Sequence, residues 1–442
     1  DSDGALRRFR VNTLKGADKR HRERTAVTQA ATLTRHAAPL APIDVSRPEI
    51  YAEDRWQELF RRLRAEAPIQ FVPESDFGAY WSVTTHKPIV HIEALPKIFS
   101  SSWEYGGISI AGGVDKPTQG EMRMPMFIAM DPPEHTAQRR TIAPSFGPSE
   151  VAAMKAEVQQ RTAAVLDSLP IGEAFDWVER VSIELTTGML ARLFDFPWDE
   201  RHKLTDWSGR GGGVELMRSA DTYAMRNAAL GEMGAAFAAL WQQKAANPGK
   251  DLISVMLRSD AMNHMSEQEF MGNLILLIVG GNDTTRNSMS AFAYGLSQFP
   301  DERAKLEANP DLIPNAVQEL VRWQTPLAHM RRTVMEDTEV DGVAMKKGDK
   351  VVLWYISANR DESVFKDADA IQVDRENARR HLSFGYGIHR CVGARGGGLQ
   401  LCTLREEMAK RRLRANVIGE PTRVPACFVH GYKSMQVELS RY

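Results

Sequence analysis

A chain of 442 residues, 43% hydrophobic and 26% charged, can bury a large core, and its length alone allows about three average domains. Its formal net charge of -1 gives no Lys/Arg excess of the kind that general nucleic-acid binding requires. Cys391, Cys402 and Cys427 are too few, and too poorly spaced, for a disulfide framework or a zinc knuckle, so a reducing compartment is expected.

Residues 1–42 are charge-rich and run into "RHAAPLAPIDVSRP", whose prolines oppose helix; they read as a mobile extension ahead of a main body at 43–442. The N-terminus lacks the apolar stretch of a secretory signal. The longest apolar run, at 273–281, falls short of the ~20 residues of a membrane span. A soluble cytoplasmic protein is expected. Apolar residues at helical spacing predict helices over 54–66 and 151–169. Alternation predicts short strands, in hairpins, within 77–92, 338–355 and 423–439. With neither an internal linker nor a repeat, one large, mainly α domain with small β-sheets is favoured over three small domains.

Four stretches carry chemistry. His135 and Arg139 share a helix face at i, i+4, where two cations repel unless an anion lies between them. Gly280 and Gly281 interrupt the apolar run and precede Asp283 and Thr284; each glycine costs a helix interior roughly 1 kcal/mol relative to Ala, so a local widening is expected. Glu319 and Arg322 at i, i+3 can pair. Cys391 sits in "HLSFGYGIHRCVGARGGG" (381–398), where Gly385, Gly387 and Gly393 free the backbone and a helix N-terminus follows. That helix, with Arg390 and His389, is expected to favour a thiolate. The residues alone leave three readings of the cysteine: buried and structural, nucleophilic, or metal-ligating. His389 is poorly placed as a base, further cysteines for zinc are lacking, and Arg390 breaks the GxGxxG fingerprint.

Phe384, Gly387, His389, Cys391 and Gly393 reproduce the pattern F-x-x-G-x-[HR]-x-C-x-G, and the other stretches occur in order before it. The chain thereby resembles the cytochrome P-450 superfamily of haem-thiolate monooxygenases over residues from about 50 to 440. The resemblance implies the family's fold, a single large helical domain enclosing haem b (iron protoporphyrin IX). It makes Cys391 the iron ligand and Phe384, Gly385 and Gly393 parts of the haem loop. His135, Arg139, Arg332 and His389 become propionate contacts, and Gly280 and Gly281 give room for dioxygen. Asp283 and Thr284 match the acid and alcohol that deliver protons to it. Glu319, Arg322 and Arg375 become a structural salt-bridge group.

The branch most resembled is that of bacterial hydroxylases acting on the terminal methyl of medium-chain n-alkanes and fatty acids. This implies an apolar channel with Ile278, Val279, Leu327, Ala328 and Met330 as plausible linings, closed by 108–113 and 121–130. A terpenoid or aromatic substrate is the alternative, and a non-catalytic haem sensor or a thiol hydrolase would be of a different class. With no room for a flavin reductase, electrons are expected from a ferredoxin and its NAD(P)H-dependent reductase, docked on Arg379, Arg380, Arg390 and Arg395. Gly396, Gly397 and Gly398 depart from the family pattern and predict a loosened start to the last long helix. The glycines at 209–215 read as a lid hinge or as a surface loop.

Overall fold

The computed structural model describes residues 41–112, 125–211 and 220–442. The expected N-terminal extension, most of the glycine run at 209–215 and part of the Met-rich stretch lie outside them. Residues 41–442 form one compact unit.

The two periodic segments fold as expected. Helix α1 (Trp56–Glu66) buries Trp56, Phe60 and Leu63, one face at i, i+4, i+7. The stretch 77–92 divides: its first half is a strand and its second is helix α2 (His86–Glu93). There the apparent alternation of "HKPIVHI" is a helical face that buries Pro88, Ile89 and Ile92, and Pro88 is tolerated because it sits in the first turn. Helix α3 (Glu134–Ile142) is followed by α4 (Pro148–Asp167), which opens on a proline at N1 and buries Met154, Val158, Thr162 and Leu166. Helix α5 (His202–Gly211) precedes the longest helix, α6 (Glu267–Gln298), which Ser266 caps by accepting from the amide of Glu269. Helix α7 (Ile313–Gln324) and helix α8 (Ala394–Lys410) complete the frame.

The main sheet has β1 (Ile69–Val72), β2 (Tyr80–Val83), β3 (Phe99–Ser100), β4 (Met330–Val334) and β5 (Lys350–Leu353), in the order β1-β2-β5-β4-β3. It is not a set of hairpins, because β2 pairs parallel with β5, Trp81 opposite Val351, across more than half the chain. The C-terminal segment 436–441 is the centre of a separate three-stranded sheet, between 174–176 and 413–417.

At 1.5 Å per residue, the 32 residues of α6 span roughly 48 Å. The first half, through Ile278, packs in one hydrophobic cluster, and the second half, from Met289, in another. Residues 279–288 between them belong to neither, which leaves a polar waist in the middle of the molecule.

Candidate active site

The cysteine loop is built by its glycines and by what it hangs from. Gly385 and Gly387 have φ of +67° and +66°, which side chains rarely adopt, and a Cβ on Gly387 would stand 2.4 Å from the Glu93 carbonyl. Gly393 has ordinary backbone angles. The Cys391 amide donates to the Phe384 carbonyl at 2.8 Å, closing the loop. Upstream, Asn359 accepts from the Leu382 amide (2.7 Å) and donates to Ser383, whose hydroxyl donates to the Val321 carbonyl of α7 (2.8 Å). Cys391 keeps accessible surface, yet burial pushes its thiol pKa up against the opposing pull of the Gly393 amide, Arg139, Arg390 and the Ala394 amide. The expected thiolate is therefore not secured by the protein alone, because desolvation outweighs the helix N-terminus. A thiol held this way fits a cationic iron that takes up its charge.

The charged group behind the loop is complete. Arg322 donates to both oxygens of Glu319 at 2.7 Å and to the carbonyls of Asn359, Ala368 and Ala370. Arg375 Nε lies 3.0 Å from both Glu319 oxygens, and the Gln372 amide adds a further donor. Every member is buried, both guanidinium groups share the one carboxylate, and their remaining donors meet backbone carbonyls.

The histidines are the reverse. His135 of α3 and His389 of the loop stack with ring centroids 4.2 Å apart, and all four ring nitrogens are buried without a hydrogen-bond partner. Burial, then the charge of Arg139, pushes His135 down to about 4; burial, then Arg332, His135 and Arg139, pushes His389 to about 2. Arg139 also donates to the Arg390 carbonyl. The structure thus brings together His135, Arg139, Arg332 and His389. Arg332 pairs with an acid, Glu93, at 2.9 Å, and Asp131 acts on His135 from further off. Buried nitrogens left unpaired are costly, so the cluster suits a ligand with carboxylates, and the propionates of haem fit it. This cluster and the Cys391 thiol are the residues that would hold haem b.

On α6 the expected widening is absent: the helix is unbroken through Gly280 and Gly281. Gly281 sits in close packing, since a Cβ there would stand 3.0 Å from Leu190 Cδ2. Gly280 is exposed between buried turns, with no atom within 4 Å of where its Cβ would be. Thr284 shares that open face and its hydroxyl donates to the Gly280 carbonyl at 2.8 Å. Asp283 points elsewhere: it is buried, pairs with Arg286 at 2.9 Å and accepts from Ser208 of α5 at 3.2 Å. Burial raises its pKa, with Arg286 and Ser208 opposing. Thr285, next along, lies 3.6 Å from where a Cβ of Gly397 would stand, so the waist of α6 passes beside the start of α8.

Helix α8 is not loosened at its glycines. It begins at Ala394, before them, and runs unbroken through all three; a Cβ on Gly396 or Gly397 would stand in ordinary contact with Phe146 or Thr285. Of the lining candidates, Ile278 and Ala328 are fully buried in hydrophobic clusters, whereas Val279, Leu327 and Met330 keep some surface. Reasoning from sequence missed Glu93, Asn359, Ser208 and Arg286. Of these, Arg286 alone carried a signal, its i, i+3 spacing from Asp283.

Residues 238–402 match the family described as Cytochrome P450. The chain is 37% identical to Linalool 8-monooxygenase of Pseudomonas putida over 404 residues, 90% of this chain and 98% of that protein. It is 30% identical to the Methyl-branched lipid omega-hydroxylase of Mycobacterium tuberculosis over 420 residues, covering 91% and 96%. Among solved structures it resembles Cytochrome P450-153 from Novosphingobium aromaticivorans, with 57% identity, a TM-score of 0.85 and coverage of 90% and 99%. The motif order, the fold and the whole-length similarity agree, and the chain belongs to the cytochrome P450 family of haem b monooxygenases.

Proposed function

We propose that this monooxygenase hydroxylates the terminal methyl of a medium-chain n-alkane or fatty acid with electrons from a ferredoxin. One oxygen atom of O2 enters the C–H bond and the other leaves as water, for two electrons and two protons. The observation that carries the reading is the open face of α6 at Gly280, with the Thr284 hydroxyl on it and apolar Val279 alongside.

Haem b held by Cys391 supplies the redox chemistry on dioxygen. The protein's own part is to hold and move protons. Thr284 spends its proton on the Gly280 carbonyl and keeps its lone pairs for a donor on the open face. Asp283, held by Arg286 and Ser208, is the acid that replenishes that face when its pairing loosens. Arg379, Arg380, Arg390 and Arg395 are all exposed, a basic surface that suits an acidic ferredoxin. No helix among the described residues is long and apolar enough to cross a membrane.

The terminal position is supported by the similarity to a lipid omega-hydroxylase. A second reading, a linear terpenoid substrate, is favoured by the similarity to Linalool 8-monooxygenase. The test supplies purified protein with ferredoxin, reductase, NADH and either octane or linalool, after carbon monoxide has given the red-shifted thiolate band. Predominant 1-octanol supports the proposal. Subterminal octanols, or turnover of linalool alone, overturn it in favour of the second reading.

A further inference from the structure

The final residue of α2, Glu93, is buried and lies far from the chemistry-bearing motifs in sequence, yet it touches two of them. One carboxylate oxygen accepts from Arg332 Nη2 at 2.9 Å and from the Tyr355 hydroxyl at 2.5 Å. The other accepts from the amide of Tyr386, inside the cysteine loop, at 2.9 Å. The Glu93 backbone carbonyl fills the space that a side chain on Gly387 would need. Three donors around one carboxylate favour its ionised form, against the burial that raises its pKa. Arg332 is fixed in turn, since its second nitrogen donates to the Arg331 carbonyl at 2.8 Å.

The same carboxylate therefore ties the loop that presents Cys391 to the arginine beside His389. Neither the Glu319 group nor the histidine pair makes this link. We propose that Glu93 is a positioning residue for the haem: it locks the thiol loop and the Arg332 guanidinium in one fixed relation, and its negative charge lowers the reduction potential of the iron. The proposal rests on Cys391 as the iron ligand and on Arg332 as a propionate contact. Reduction adds negative charge to the haem, so a buried anion nearby favours the ferric state.

Two variants separate this charge effect from simple loss of packing. Glu93→Gln keeps the volume but removes the charge, and its amide can serve the Tyr386 amide or Arg332, not both. Tyr355→Phe keeps the charge and withdraws one donor, which leaves the carboxylate less neutralised. In spectroelectrochemical titration of the haem-loaded proteins, Glu93→Gln is expected to shift the ferric–ferrous balance toward ferrous by about tenfold, or about 59 mV for one electron. Its carbon monoxide complex is expected to lose part of the red-shifted thiolate band. Tyr355→Phe is expected to move the potential in the opposite direction, by less. A role in packing alone would lower melting temperatures without opposed potential shifts.

Unchanged potentials in folded, haem-loaded variants overturn the proposal, as do shifts of the same sign in both. Should Glu93→Gln fail to fold, the sign of the Tyr355→Phe shift decides. Haem transfer to apomyoglobin from Arg332→Lys tests the arginine premise by itself. Transfer no faster than from the unaltered protein removes Arg332 from the haem and overturns that half, whatever the potential of Glu93→Gln.

Discussion

Two buried polar clusters, one around Glu319 on α7 and one that takes in His389 of the cysteine loop, are opposites. Around Glu319, Arg322 and Arg375 every charge has a partner of opposite sign and the remaining donors meet backbone carbonyls. Around His135 and His389 four imidazole nitrogens have no hydrogen-bond partner, and His389 feels the charges of Arg332 and Arg139. The first cluster is complete as protein; the second leaves room for hydrogen bonds that the protein does not make. The difference teaches that burial alone does not mark function, and that the unpaired polar group does.

The contrast breaks most visibly on the closed side. Glu319→Gln leaves two buried guanidinium groups without their anion, which should cost about 3–5 kcal/mol. Thermal denaturation of the holoprotein, or recovery of soluble protein, would register the loss. On the open side the expected sign reverses. His389→Phe removes an unpartnered buried imidazole, so the haem-free protein should gain about 1–3 kcal/mol while retention of haem weakens. Urea unfolding of the apoprotein, set beside haem transfer from the holoprotein, checks both halves.

The same unpaired histidines give a pH signature. His135 is held down to about 4 and His389 to about 2, below the unfolded value of about 6.5, so the unfolded chain binds more protons in acid. Stability of the apoprotein should be whole above about pH 6.5 and fall as pH drops through that value toward 4, by up to about 1.4 kcal/mol per pH unit for each histidine. Haem should flatten the dependence, because its carboxylates favour the protonated rings. A pH series of melting curves, with and without haem, would show whether the two traces part.

Smaller effects sharpen the picture without unfolding anything. Thr284→Ala should leave stability within about 1 kcal/mol, since the hydroxyl serves a carbonyl already in a helix. It should uncouple NADH consumption from product, and full coupling would remove Thr284 from proton delivery. Gly398→Ala places a methyl where no atom lies within 4 Å, in helical backbone, and should stabilise by roughly 0.5–1 kcal/mol in a calorimetric scan.

Much of this was legible in the chain. Apolar spacing marked α1 and α4, the order of short motifs pointed to the family, and Glu319, Arg322 and Arg375 meet as their resemblance implied. The misreadings share one physical origin, that local pattern is ambiguous where a distant partner decides. The segment "HKPIVHI" has a face that suits strand or helix, and the three glycines of α8 sit in an unbroken helix that their propensity disfavours. A helix of 32 residues holds two adjacent glycines unbroken, although the glycine pair had suggested a local widening.

Sequence by itself determined the protein class, because the order of short motifs along the chain is a matter of residue identity and local spacing. Tertiary structure alone decided which charges are spent. It committed Arg332 to Glu93, 239 positions away, and the thiol to a setting whose burial raises its pKa, because long-range pairing and desolvation exist only once folding brings distant segments together.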